Sequence, residues 1–273
     1  MPAPSRPAPS SGPSIQIAPV IGAAAGLLAL AGAAVMAQGR AGLWAALLGA
    51  LAGVSLYHAR FGFTSAWRRM MRERRGAGLR AQMLLITLIC AASFPLMAWG
   101  EVIGLPARGA ILPMGVASAL GACLFGAGMQ LGGGCASGTL YTVGGGSSRM
   151  LVTLAFFVAG SVWATADWAF WESLPRTRAG VSLVGALGPL PALAAMAALL
   201  GAIAWGSMVM ERRAHGALEG SAHGAPEGSA HGASLARGPW SLRQGAIALA
   251  LVGIGCFALL ERPWGVTAGF ALW

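Results

Sequence analysis

Long apolar stretches alternate along this chain with short polar or arginine-rich connections. Stretches at 15–37, 41–59, 80–100, 110–131, 149–171, 183–210 and 242–260 approach or exceed the roughly 20 residues that a helix needs to cross a bilayer. The pattern predicts an all-α polytopic membrane protein of about seven spanning helices. The first stretch has a second reading. MPAPSRPAPSSGPS, an apolar run and then VMAQ also fit a signal peptide cleaved after Ala37, but the run is long for a signal's apolar core, which favours a retained helix.

Composition agrees with the pattern. Hydrophobic residues make up 56% of the chain and charged residues only 10%, against about 25% charged in soluble domains. The net charge is +10, and all 18 basic residues are arginine. They gather between apolar spans, where orientation signals lie, rather than on a face for nucleic acid. RRMMRERRGAGLR, residues 68–80, holds six arginines and one acid and is expected in the cytoplasm. Simple alternation then places Arg149 and 211–243 inside, 101–109 and 172–180 outside, and the N-terminus in the cytoplasm.

Four domains of sequence follow: a disordered N-terminus at 1–14, a first membrane half at 15–210, a flexible linker at 211–240, and the start of a second membrane half at 241–273. The linker repeats AHGA[LP]EGS and carries His215, His223 and His231. Its composition buries no core and reads as linker rather than metal site. Six spans precede it and one clear span follows, an imbalance that suggests an internal repeat. FGFTSAW begins at Phe61 after Arg60, and WGVTAGF begins at Trp264 after Arg262. Both fit aromatic-Gly-apolar-Thr-small-small-aromatic, as a duplicated transporter half would. The chain ends inside the second copy, so the expectation is a fragment or truncated relative; a half-transporter completed by dimerisation is the alternative.

MQLGGGCASGTLYTVGGG, residues 129–146, carries the candidate chemistry. Non-helical backbone at membrane depth survives only when buried in protein or lining a wet cavity. Gly132, Gly133 and Gly134 are expected to end one helix, and Ser137 and Thr139 to cap a short new one. The result would be a broken or re-entrant element whose free amides suit an anion. Ser118, Ala122, Gly126, Gly128 and Gly132 form small-residue stripes on the preceding helix, which suggests close helix packing. The rival reading is a plain glycine-rich surface loop.

Other motifs fall away. The absence of lysine excludes a Walker A loop. Cys90, Cys123, Cys135 and Cys256 form no CxxC, which argues against a disulfide framework or a zinc site. No cofactor is called for. Asp167, among Trp163, Trp168 and Trp171, reads at least as readily as an interfacial anchor as an intramembrane acid of function. His58 reads as interfacial, and Cys90 and Cys256 as packing residues.

GACLFGAGMQLGGGCASGTLYTVGGG resembles the signature of the YeeE/YedE family of sulfur-compound transporters. RFGFTSAWRRMMRERRGAGLRAQ and RPWGVTAGFALW resemble two further segments of that family. The resemblance implies uptake of thiosulfate or a related sulfur anion across a bacterial inner membrane. It implies a duplicated half, a thiol in re-entrant loops, and often a small cytoplasmic sulfur-carrier partner. The family's central cysteine maps onto Cys135. A second glycine-cysteine motif is expected beyond the end of this chain, and the cysteine that some members carry in the first motif is here Gly62.

The expected substrate site is thus Cys135 with Gly132, Gly133, Gly134, Ser137, Gly138 and Thr139, and with Cys123, Thr64, Ser65 and Thr267 as secondary candidates. Thiosulfate is a dianion with a soft terminal sulfur. A neutral thiol donates S–H to that sulfur, whereas a thiolate repels it, so the mechanism wants Cys135 protonated. Two other readings stand beside this one: a cysteine-dependent redox or sulfur-transfer protein, and a structural subunit whose glycines serve packing alone.

Overall fold

A computed structural model of the chain describes residues 17–105, 109–219, 240–261, 263 and 265. Eleven helices carry the described residues: α1 (Ile17–Gln38), α2 (Arg40–Ala59), α3 (Phe63–Glu73), α4 (Ala77–Trp99), α5 (Val116–Gly132), α6 (Ala136–Gly144), α7 (Ser148–Ala166), α8 (Trp168–Ser173), α9 (Leu183–Leu187), α10 (Pro189–His215) and α11 (Leu242–Leu259). Among the described residues, seven helical segments are long and apolar enough to cross a membrane. Among the described residues the extended backbone amounts to one antiparallel bridge, Gly115 with Arg176. The chain is an all-α, multi-pass membrane protein.

It divides into two units, residues 1–46 and 47–273. The first holds α1 and the start of α2. Their joint is tight: Gly39 has φ +56°, and a Cβ on Gly42 would lie 2.0 Å from the Ala34 carbonyl oxygen.

In the second unit, α4 is the central helix and packs against both α10 and α11. Two apolar clusters form on it. Ala81 shares one cluster with Ala52, Leu56 and Ala59 of α2 and Ala246, Leu249, Val252 and Cys256 of α11. Leu79 and Met83 meet Met70 of α3 and Leu200 of α10. By contrast α5 and α7 bury no residue in the chain. Leu131 is 85% exposed and Phe156 76%, as suits helices whose solvent is lipid. The small-residue stripe of α5 makes no close helix contact over most of its length: a Cβ on Gly126 or Gly128 would meet nothing within 4 Å.

Three spans are interrupted where the sequence pattern reads as continuous. The 149–171 stretch bends at Asp167, between α7 and α8, where Asp167 accepts a 2.9 Å hydrogen bond from the Trp163 indole. The 183–210 stretch breaks at Gly188, φ +83°, because Pro189 must start a helix rather than continue one. Its second part, α10, runs on to His215. The 110–131 stretch is helical only from Val116, and residues before it run extended to meet Arg176.

The arginine-rich connection is itself helical. In FTSAWRRMMRE, Phe63, Trp67 and Met70 recur at helical spacing, so α3 is amphipathic, with Thr64, Ala66 and Met70 buried. Beside it, the carboxylate of Glu211 is fully buried. It pairs with Arg80 and accepts from the Gly76 amide at 3.2 Å and the Glu219 amide at 2.8 Å. Arg69 bridges Glu219 and Glu73. This clasp fixes the start of α4 to the end of α10.

Candidate functional site

Two loops meet beside α4, and both were singled out by sequence motif. The first follows α2. Arg60 adopts φ +46°, which ends that helix, and the Phe61 amide closes the turn on the Leu56 carbonyl at 3.1 Å. Gly62 is then the N-cap of α3. Gln82, 1% exposed on α4, holds this loop from below. Its amide donates to the Gly62 carbonyl at 3.4 Å and the Phe63 carbonyl at 3.3 Å.

The second loop joins α5 to α6. Gly133 is left-handed, φ +81°, and terminates α5 as a helix-ending glycine does. Cys135 occupies the N-cap of α6. The cap therefore falls on the cysteine, whereas the sequence pattern favours Ser137 or Thr139; both sit inside the first turn. Thr139 is the first residue whose amide bonds back into the helix, to the Cys135 carbonyl at 2.8 Å. The preceding amides have no intrahelical partner, and the helix dipole adds about half a positive charge there.

The loops enclose a cavity of about 40 Å³. At about 10–15 Å³ per water, that is room for about three waters, or for one small anion displacing them. The first loop contributes Gly62, Thr64 and Ser65; the second contributes Gly133, Gly134 and Cys135; α6 adds Gly138, Tyr141 and Thr142. None of these side chains is charged. The donors are hydroxyls, one thiol and backbone amides.

Close approach requires the glycines here. A Cβ on Gly62 would lie 2.7 Å from Ser65 Oγ and 3.5 Å from Tyr141 Oη, and one on Gly138 would lie 3.3 Å from Cys135 Sγ. Cys135 is 9% exposed, and its sulfur lies 3.5 Å from Ser137 Oγ.

Of the remaining candidates, three surround the cavity without lining it. Gly132 backs onto Thr153 of α7, where a Cβ would meet Cγ2 at 3.1 Å. Thr139 is buried behind Gly134, and Ser137 flanks the thiol. Cys123 is exposed on α5 and away from the cavity. Thr267 lies outside the described residues, as does nearly all of WGVTAGF. Sequence reading missed Tyr141, Thr142 and Gln82. The first two stand inside the quoted motif, six and seven residues past Cys135. Gln82 has one signal, a polar side chain in an otherwise apolar span.

His58 stacks on Trp240 at 5.6 Å, and its carbonyl accepts the Trp240 amide, so it ties α2 to the start of α11. Cys256 packs in the core between α2, α4 and α11. A larger groove of about 620 Å³ lies between α3 and the end of α5, lined by Trp67, Arg68, Met71, Arg72, Gln130 and Leu131. Its lining falls within the quoted motifs, with Trp67 from FGFTSAW and Gln130 and Leu131 from MQLGGGCASGTLYTVGGG, but it takes in none of the candidate site residues.

No curated protein matches the chain. A family model described as sulphur transport matches residues 58–273, a range that contains both loops, α4 and the clasp. The chain therefore belongs to the sulphur transport (YeeE/YedE) family.

Proposed function

We propose that this chain takes up thiosulfate, or a sulfur anion of the same build, across the bacterial inner membrane, and that the anion binds at Cys135. The family assignment makes the role sulphur transport; the substrate and the site are the proposal. One observation carries it. Cys135 stands at the N-cap of α6, nearly buried, on the wall of a cavity that, among the described residues, is lined by hydroxyls and amides and by no charged side chain.

Such a site suits a transporter. Amides at a helix N-terminus attract an anion without a full opposing charge, so the anion is held weakly enough to leave. The S–H of a neutral Cys135 is a weak, soft donor matched to a terminal sulfur. The glycines let both loops close on so small an ion. A small cytoplasmic sulfur-carrier protein is the proposed acceptor on the inner side.

The test is uptake of labelled thiosulfate by cells that lack their own sulfate and thiosulfate importers, comparing this chain with Cys135→Ala at matched membrane levels. Loss of uptake with the thiol is expected. Undiminished uptake removes Cys135 from the path.

A further inference from the structure

Thiosulfate has two chemically different ends, one soft sulfur and three hard oxygens, and a cavity that binds it needs a donor for each. The thiol addresses the sulfur. The hydroxyls differ sharply in what they have left to give. Ser65 donates to the Gly62 carbonyl at 3.0 Å, and Thr142 donates to the Gly138 carbonyl at 2.7 Å. Both protons are spent inside the protein.

Thr64 is different. Its Oγ1 is buried and has no hydrogen-bond partner among the described residues; the residue is 2% exposed and belongs to the cavity wall. A threonine near a helix start ordinarily bonds a carbonyl nearby. In the same loop the Gly62 carbonyl already accepts from Ser65 Oγ, from the Gln82 amide and from the Ala66 backbone amide. A buried hydroxyl left without a partner is costly. An ordered water, an ion or a ligand completes such a group in native proteins.

Resting on the reading of Cys135 above, we infer that the Thr64 hydroxyl is a specificity-determining donor to the oxygen end of the transported anion, set across the cavity loop from the thiol that takes the sulfur end. Gln82 is a positioning residue. Its amide holds the Gly62 and Phe63 carbonyls and so fixes the loop that carries Thr64. The two loops thus divide the labour: the FGFTSAW motif supplies the hard donor and the GGGCASG motif the soft one.

The experiment is thiosulfate uptake kinetics in importer-deficient cells, on the full chain, for wild type, Thr64→Val, Thr64→Ser and Cys135→Ala at matched membrane levels. Thr64→Val keeps shape and deletes the hydroxyl. A hydrogen bond to a charged group is worth enough to move affinity by about tenfold or more. The expected result is a KM raised about tenfold with Vmax nearly unchanged, and a KM restored by Thr64→Ser. A Thr64→Val KM equal to wild type, alongside lost uptake in Cys135→Ala, overturns the Thr64 inference and leaves the cysteine reading standing. Equal losses in Val and Ser variants assign the effect to packing and also overturn it. Uptake that survives Cys135→Ala, or is absent from wild type, overturns the cysteine reading and this inference with it. Should Thr64→Val fail to accumulate, the smaller Thr64→Ala carries the same comparison.

Discussion

Removing both members of the Glu211–Arg80 pair is expected to destabilise the chain less than removing either alone. Glu211 is fully buried and Arg80 is 19% exposed. Glu211→Met leaves a largely buried guanidinium with no anion, and Arg80→Met leaves a buried carboxylate with only the Gly76 and Glu219 amides. Breaking a buried pair from one side costs about 3–5 kcal/mol. The partial exposure of Arg80 argues for the lower end, about 3 kcal/mol for each single variant. The double variant buries no charge. It forfeits chiefly the acceptor of two amides, at about 1 kcal/mol each, so its loss is about 2 kcal/mol. Additive behaviour would give about 6 kcal/mol. The assay is equilibrium unfolding in mixed micelles of mild detergent and SDS, followed by tryptophan fluorescence. A double variant as unstable as the sum of the singles would refute the buried-pair reasoning. Neither side chain lines the cavity, so the KM of the double variant should stay close to wild type.

Three further outcomes follow from the geometry. Gly133→Ala puts a side chain at φ +81° and should cost about 1–2 kcal/mol in the same unfolding assay; an unchanged midpoint would show that the α5 end does not need a left-handed residue. Gly138→Ala, inside α6, should be neutral or stabilising by up to about 1 kcal/mol, yet its methyl, 3.3 Å from Cys135 Sγ, should raise the KM for thiosulfate severalfold; unchanged kinetics would place the anion elsewhere. Asp167→Asn keeps an acceptor for the Trp163 indole and should shift stability by no more than about 0.5 kcal/mol with uptake intact; lost uptake would make Asp167 a path residue rather than an anchor.

The spans were legible because lipid imposes one simple demand, a long apolar helix, and seven stretches of the sequence meet it. The break after Gly132 was legible for a related reason: three successive glycines end a helix whatever packs around them. What escaped was set by contacts distant in sequence. The α3 helix hides in an arginine cluster because charge density masks the helical spacing of Phe63, Trp67 and Met70. The clasp needs Glu211 to reach Gly76 and Arg80 across more than a hundred residues, and no local pattern announces that. The cap on Cys135 contradicts residue preference, since serine and threonine are the better capping types and both stand close by; the loop geometry after Gly133 decides instead. The difference between Thr64 and Ser65 is invisible in sequence. It appears only when each hydroxyl is followed to its acceptor.

The most direct measurement is the rate at which a small maleimide alkylates Cys135 in the membrane-embedded chain, read on its own peptide by mass spectrometry, with and without thiosulfate. An anion seated against the thiol should slow alkylation severalfold, saturably, and sulfate at the same concentration should protect far less. A rate at Cys135 that saturating thiosulfate leaves unchanged would contradict binding at the α5–α6 loop.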